Sequence, residues 1–395
     1  MIAPYGFAAP AAIAFGAGVS RQALTAAPSF GARALVVTGA TPARAAWLAD
    51  GLRAAGVAVE IVSIAHEPLV EDAMAAVAAA RRFRADIVIG IGGGAALDLA
   101  KAVAGLAMEP GDPMQHLEVV GQGLPLTVAP LPLIAIPTTA GTGAEATRNA
   151  VLGVPAQGRK VSLRDARLLP RLALVDPELT HGLPLAVTLA TGLDALTQVI
   201  EPYVSSKATA MTDALCRDAI ARALAALPRL IAALAAGAED RGARADMAHV
   251  SLMGGISLAN AGLGAVHGLA GVLGGTAGGA HGAICGALLG PILATNRAAL
   301  AARGPELPGA ARVAEVCAMI GAAFDCDAAD APAALAAWAH GAGLPGLGAL
   351  GHDPADSGSV AAASAASSSM KGNPLPLTEA ELIAAMAAAG QGAAR

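Results

Sequence analysis

The stretch from Asn260 to Asn296 limits what this chain can fold into more than any other. It reads NAGLGAVHGLAGVLGGTAGGAHGAICGALLGPILATN and holds no Asp, Glu, Lys or Arg. A charge-free apolar segment of this length is either a membrane span or the centre of a large core. Glycines recur every few residues and two of the chain's eight histidines, His267 and His281, interrupt it, so no continuous run of about 20 apolar residues stands out. The segment is expected to form buried helices crossing the interior of a domain, with two imidazoles aimed at a site. The alternative, two core histidines satisfied by backbone, stands until other groups are found to converge there.

A chain of 395 residues is too long for one ordinary core, and two domains are expected. Hydrophobic residues at 55% against 14% charged exclude disorder for most of it. Aromatic residues are only 2%, so alanine and aliphatic side chains must fill the core, which suits close helix packing. A net charge of −5 and the lack of a basic, aromatic-interleaved face argue against nucleic acid as a partner. The start, MIAPYGFAAPAAIAFG, has no charged n-region and is a poor signal peptide. Cys216, Cys285, Cys317 and Cys326 lie at no metal-ligand or disulfide-framework spacing, so a reducing cytoplasm without membrane insertion is the expected setting.

From about residue 30, short β-branched runs alternate with alanine-rich stretches. ALVVT (Ala34 to Thr38), Val57 to Ile64 and Asp86 to Gly94 read as strands; Ala43 to Ala55 and Glu71 to Arg82 read as helices. That alternation implies a parallel sheet covered on both faces. Gly90 to Lys101, GIGGGAALDLAK, places a glycine turn after the third expected strand and at the start of a helix. Such a turn lets backbone amides approach a phosphate at a helix N-terminus. A tight turn with no ligand is the alternative, and the position after a third strand departs from the usual fingerprint. A second loop, IPTTAGTG, ends a strand at Pro137 and offers Thr138, Thr139 and Thr142 as hydroxyl donors. Two such loops at strand carboxyl ends fit a dinucleotide lying across a sheet.

GGGAALDLAK and IPTTAGTGAEATRNAV, followed by VDPELT (Val175 to Thr180), TGLDALTQVIEPYVS (Thr191 to Ser205) and SSMKGNP, resemble the iron-containing (group III) alcohol dehydrogenase family, which includes the maleylacetate reductases. The resemblance spans nearly the whole chain. It implies an α/β N-terminal dinucleotide-binding domain over residues 1–181 and an all-α C-terminal metal and substrate domain over residues 182–395. This is the dehydroquinate synthase-like, group III alcohol dehydrogenase fold. It also implies hydride transfer between NAD(P)H and a small carbonyl in the cleft between the domains, and a homodimer or larger homo-oligomer.

Carried over by residue, the resemblance places Gly93, Gly94 and Ala95 at the pyrophosphate turn. Asp98, Thr138, Thr139, Thr142, Asn149, Lys160 and Leu179 become further cofactor contacts. Gly39 stands where an aspartate is frequent in the family, and Arg44 follows it. Loss of a carboxylate beside the adenosine ribose removes a charge clash with a 2′-phosphate, so NADPH is expected to be accepted. Asp194, His267 and His281 match three metal positions and carry the catalytic role, while Gln198 stands at the fourth in place of histidine. An amide oxygen is a much poorer ligand for Fe²⁺ or Zn²⁺ than imidazole. Two alternatives follow: an Asp/His/His set adequate for catalytic zinc, or a site that works without metal. Gly271 replaces a second histidine, a proton relay in relatives, so the proton must come from water, the cofactor ribose or an unmetallated imidazole. Arg148 and Lys371 would favour a substrate bearing carboxylate, phosphate or sulfonate if they face the site.

The expected activity is therefore NAD(P)-dependent interconversion of a small alcohol and its aldehyde or ketone. A metal-independent, maleylacetate reductase-type keto-acid reductase is the alternative. A nucleotide-binding member without turnover ranks below both.

Overall fold

The computed structural model describes residues 3–118, 120–157, 159–276 and 278–390. The chain divides into two units, one of Ala8–Thr139 with Gly143–Thr180. The other is the chain from His181 onward with the short loop Ala140–Thr142 and an N-terminal piece ending at Phe7.

The first unit runs β1 (Ile13–Phe15), α1 (Ala23–Phe30), β2 (Arg33–Thr38), α2 (Ala46–Ala54), β3 (Ala58–Ser63), α3 (Val70–Phe83), β4 (Ile87–Gly92), α4 (Gly94–Leu106), β5 (Leu133–Pro137), β6 (Asn149–Val154), β7 (Arg159–Arg164) and β8 (Leu172–Val175). Six of these strands form one sheet in the order β1-β8-β5-β4-β2-β3, every pairing parallel. The side-chain alternation of β2 divides the core as the pleat requires. Leu35 and Val37 pack with the α3 and α4 side, whereas Ala34 and Val36 pack with α1 and α2. Both faces are covered, so β4 is buried at every residue and reads as an unbroken apolar run.

The glycine turn follows the fourth strand, not the third. The overlooked strand, β1, is three residues long and exposes Ile13 and Phe15, so it shows neither a β-branched run nor an inward-facing alternation. The segment 149–164 also holds an antiparallel hairpin, β6–β7, that the sequence pattern did not suggest.

Strand order explains the position of the glycine turn. The chain moves from β2 outward to β3, then returns to the other side of β2 to form β4. The carboxyl ends of β2 and β4 therefore flank a topological switch point, where open parallel sheets bind ligands. Gly39 leaves β2 there and Gly93 leaves β4. At Gly92 a Cβ would stand 2.6 Å from Ala96 Cβ, so only glycine lets α4 turn back so tightly over its own strand.

Lys101, fully buried on α4, donates to Thr147 Oγ1 and to the Asn149 carbonyl, each at 2.6 Å, and pairs with Asp98 at 3.0 Å. This ammonium ties the glycine-turn helix to the start of β6. Glu145 is buried nearby, and its burial pushes the carboxyl up from 4.5 to about 7 against the opposing pull of Lys101.

The second unit is helical: α5 (Leu185–Val204), α6 (Ala210–Ala235), α7 (Arg241–Ala261), α8 (Ala265–Thr276), α9 (His281–Arg303), α10 (Pro308–Phe324), α11 (Ala331–Gly341), α12 (Ser357–Ala365) and α13 (Glu379–Gly390). α5 is the central helix, packed on α6, α7 and α9. The charge-free stretch becomes the end of α7, then α8, then the start of α9, with a 100° bend between α7 and α8. α9 alone among the described helices is long and apolar enough to cross a membrane, but 72% of its apolar window is buried inside the fold, as in a core helix. Thr378 and Glu381 form a capping box before α13, Thr378 N donating to Glu381 Oε2 at 2.7 Å and Glu381 N to Thr378 Oγ1 at 3.2 Å.

The raised carboxyl of Glu145 sets a pH dependence. The folded chain keeps that proton where the unfolded chain has released it, so stability falls as pH rises from about 4.5 through about 7. Calorimetric unfolding of Glu145→Gln should lose this slope and gain up to about 3 kcal/mol over the parent at pH 8.

Candidate metal centre and nucleotide loops

Asp194, Gln198 and Glu201 follow one another at spacings of four and three on α5, which puts all three on one face. That face is interior: the three residues are 2%, 3% and 5% exposed. Three polar side chains held this deep need partners, and α8 and α9 bring them.

The N-terminus of α8 is docked by two side chains. Asn373, in the turn after Lys371, accepts from Ala265 N at 3.1 Å, and Glu201 Oε1 accepts from Val266 N at 2.7 Å. The other carboxylate oxygen of Glu201 accepts from His267 Nδ1 at 2.6 Å. With Nδ1–H committed there, Nε2 is the ring nitrogen left facing Asp194, and in the neutral ring its lone pair is the one open to a metal.

His281 is the first residue of α9, and Gly282 follows it. A Cβ at Gly282 would lie 2.6 Å from the Ala190 carbonyl, so glycine is what lets α9 begin flush against α5 beside Asp194. One turn on, Cys285 lies on the same face of α9 as His281. Asp194, His267, His281 and Cys285 thus meet with their ligand atoms all within 4.8 Å of one another. Cys285 was not expected there, because only the His281-x3-Cys285 spacing points to it and the other donors come from distant parts of the chain.

Two atoms of this cluster lack any hydrogen-bond partner: Asp194 Oδ1 and His267 Nε2, 3.3 Å apart and both buried. Although burial works against it, the facing His267 ring and the charge of His281 hold the Asp194 carboxyl below its ordinary value. Cys285 is likewise lowered despite its burial, by His281 and His267. His267 rises well above the usual imidazole value against the penalty of burial, drawn by Cys285, Asp194 and Glu201. Two anion-forming donors and two imidazoles facing one small buried space fit a divalent cation, which would satisfy both orphaned atoms.

Gln198 enters this region differently. Its side-chain amide donates to the Thr142 carbonyl at 2.6 Å, tying the threonine loop to α5. At Gly271 a Cβ would meet nothing within 4 Å, so α8 leaves open space one turn beyond His267.

At the sheet's carboxyl edge, Gly93, Gly94 and Ala95 form the first turn of α4 with Leu97 N donating to Gly93 O at 3.1 Å. Thr138 N donates to Gly92 O at 2.9 Å, and a Cβ at Gly93 would lie 3.3 Å from Thr139, so the two loops lie side by side. Asp98 is engaged by Lys101 and accepts from Val151 N at 3.2 Å. Asn149 keeps a buried side-chain oxygen without a partner. Lys160 pairs with Glu67. Leu179 packs partly buried against the core beneath β2 and β4. Gly39 has open space where a side chain would project, and Arg44 is exposed in the turn Pro42–Ala45. Lys371 is exposed in the turn Ser369–Gly372.

Residues 10–177 match the family model described as iron-containing alcohol dehydrogenase. Residues 188–390 match that of the Fe-containing alcohol dehydrogenase family, C-terminal. Long-chain-alcohol dehydrogenase 1 of Geobacillus thermodenitrificans is 42% identical over 224 residues, 56% of this chain and 55% of that protein. NAD-dependent methanol dehydrogenase of Bacillus methanolicus is 34% identical over 273 residues, 68% of this chain and 70% of that one. The chain spans about half the length of the curated relatives it matches at 42% identity. Among solved structures, 1,3-propanediol oxidoreductase superimposes with a TM-score of 0.85 at 30% identity, covering 98% of this chain and 100% of that one.

The Glu201–His267 bond yields a specific expectation. Glu201→Gln keeps an acceptor for Val266 N but turns an N–H towards Nδ1, which shifts the imidazole proton to Nε2. Zinc affinity, measured by competition with a chromophoric chelator, should fall by about 10- to 100-fold with the fold intact by circular dichroism.

Proposed function

The chain belongs to the iron-containing alcohol dehydrogenase family, and from that premise we propose that it interconverts a small alcohol and its aldehyde or ketone with NAD(P)(H). The observation that carries this reading is the convergence of Asp194, His267 and His281 from α5, α8 and α9 on one buried point. In this reading residues 1–181 bind the cofactor and residues 182–395 hold metal and substrate.

The backbone of Gly93, Gly94 and Ala95 receives the pyrophosphate at the N-terminus of α4. Thr138, Thr139 and Thr142 offer hydroxyls to phosphate and ribose oxygens. Asn149, whose side-chain oxygen lacks a partner, is free to accept from the cofactor. Lys160 and Leu179 complete the contacts, and Asp98 acts through Lys101 to hold the turn.

Asp194, His267 and His281 would hold a divalent metal, with Gln198 beside them. Such a metal supplies Lewis acidity towards a carbonyl oxygen. Glu201 fixes the His267 tautomer so that its lone pair, not a proton, faces the centre. The burial of Asp194 and His267 keeps bulk water from them, which strengthens the charge interactions there. The open space at Gly271 admits the rest of the substrate and the water that returns a proton to the alkoxide. An anionic substrate group would pair with Arg148 or Lys371. The four free cysteines suit a reducing cytoplasm, and the exposed Ile13 and Phe15 on edge strand β1 suit a homo-oligomer.

The test is NADPH oxidation over a panel of aldehydes and keto acids, before and after chelation, with metal content measured in parallel. About one divalent ion per chain, with turnover lost on stripping and restored by adding metal back, is expected. Metal-free protein with undiminished turnover would overturn the reading. For the cofactor, Gly39→Asp should raise the KM for NADPH at least about 10-fold over that for NADH, equivalent to roughly 1.4 kcal/mol.

A further inference from the structure

We propose that the Cys285 thiolate is a fourth protein ligand of the metal, and that the centre selects zinc over ferrous iron as a result. The inference rests on the metal-dependent reading above and adds a ligand to it. Its basis is the donor geometry. Cys285 Sγ lies 3.6 Å from His281 Nε2, and Asp194 Oδ1 lies 3.3 Å from His267 Nε2. A tetrahedral centre with bonds of about 2.0–2.1 Å to N and O and about 2.3 Å to S requires an N–S edge near 3.6 Å and an N–O edge near 3.4 Å. Two of the six edges of such a centre therefore already stand at the separations that a single ion would impose, and all four donor atoms lie within 4.8 Å of one another.

Cys285 belongs to the apolar core of the helical unit, but packing alone does not require a thiol there. It is fully buried, and its sulfur contacts His281 Nε2 at 3.6 Å, another member of the cluster. A small apolar residue would pack equally well at that point on α9. Gln198, the neighbouring neutral candidate, has its amide tied to the Thr142 carbonyl. An amide oxygen is also a harder and weaker donor than a thiolate.

The chemistry of binding is balanced simply. The Cys285 S–H bond breaks as the sulfur–metal bond forms, and the proton passes to solvent. Mixed N, O and S ligation suits zinc, which also stands above ferrous iron in intrinsic affinity for such donors. Catalytic zinc tolerates a fifth donor, so four protein ligands do not shut the centre to substrate.

The experiment is zinc K-edge X-ray absorption on the full chain loaded with one equivalent of zinc, alongside Cys285→Ser and Cys285→Ala. The parent should show one sulfur scatterer at about 2.3 Å, absent from both variants. The zinc-to-iron affinity ratio, measured anaerobically by chelator competition, should fall at least about 10-fold in Cys285→Ala. Zinc bound through N and O alone in the parent would overturn the ligand assignment and leave the metal-dependent reading standing. Failure of the parent to bind zinc or iron would overturn both. The parent spectrum decides the assignment even if a variant fails to fold.

Discussion

One carboxylate, that of Glu201, joins the architecture of the helical unit to its chemistry. Its two oxygens take the Val266 amide at 2.7 Å and the His267 Nδ1 proton at 2.6 Å. The first bond docks the start of α8 onto α5, and the second sets which nitrogen of His267 faces Asp194. A carboxylate at a helix N-terminus is favoured by the exposed amides and the helix dipole together. The same group that makes α8 a stable neighbour of α5 therefore also makes His267 a lone-pair donor. Asn373 reinforces the junction, accepting from Ala265 N and exchanging amide hydrogen bonds with Asn296 of α9. α5, α8 and α9 are thereby held to one another by buried polar bonds around the point where their donors meet.

Much of this was legible in the sequence. The β-branched runs at 34–38 and 86–94 coincide with β2 and β4, because central parallel strands must be apolar on both faces, and 57–64 coincides with β3 at the sheet edge. The charge-free stretch from Asn260 became buried helices because its glycines permit close packing, as at Gly282, and its histidines find partners. β1 escaped notice for a physical reason. A three-residue edge strand whose outer residues are exposed carries no periodic signal, yet it moved the glycine turn from the third strand to the fourth.

The centre itself was only partly readable. Asp194 and Gln198 share a helix face, and that much follows from spacing. Glu201 lay within the same motif but gave no sign that it would reach across to His267, since the bond spans 66 residues of sequence. The spacing of Cys285 to the other cysteines carries no signal. The informative spacing was four residues to a histidine, and it acquires meaning only once α5 and α8 supply the remaining donors. Lys101 was invisible for a related reason: a lysine in an alanine-rich helix reads as a solvated charge, whereas here it is fully buried and joins α4 to β6.

The central claim is that Asp194, His267, His281 and Cys285 enclose one metal ion. Anomalous diffraction from crystals of the zinc-loaded protein, collected on both sides of the zinc edge, tests it most directly. The account predicts a single strong peak equidistant, within a few tenths of an ångström, from Asp194 Oδ1, His267 Nε2, His281 Nε2 and Cys285 Sγ, allowing for the longer bond to sulfur. A fully loaded, active protein with no anomalous density among those four atoms would contradict it.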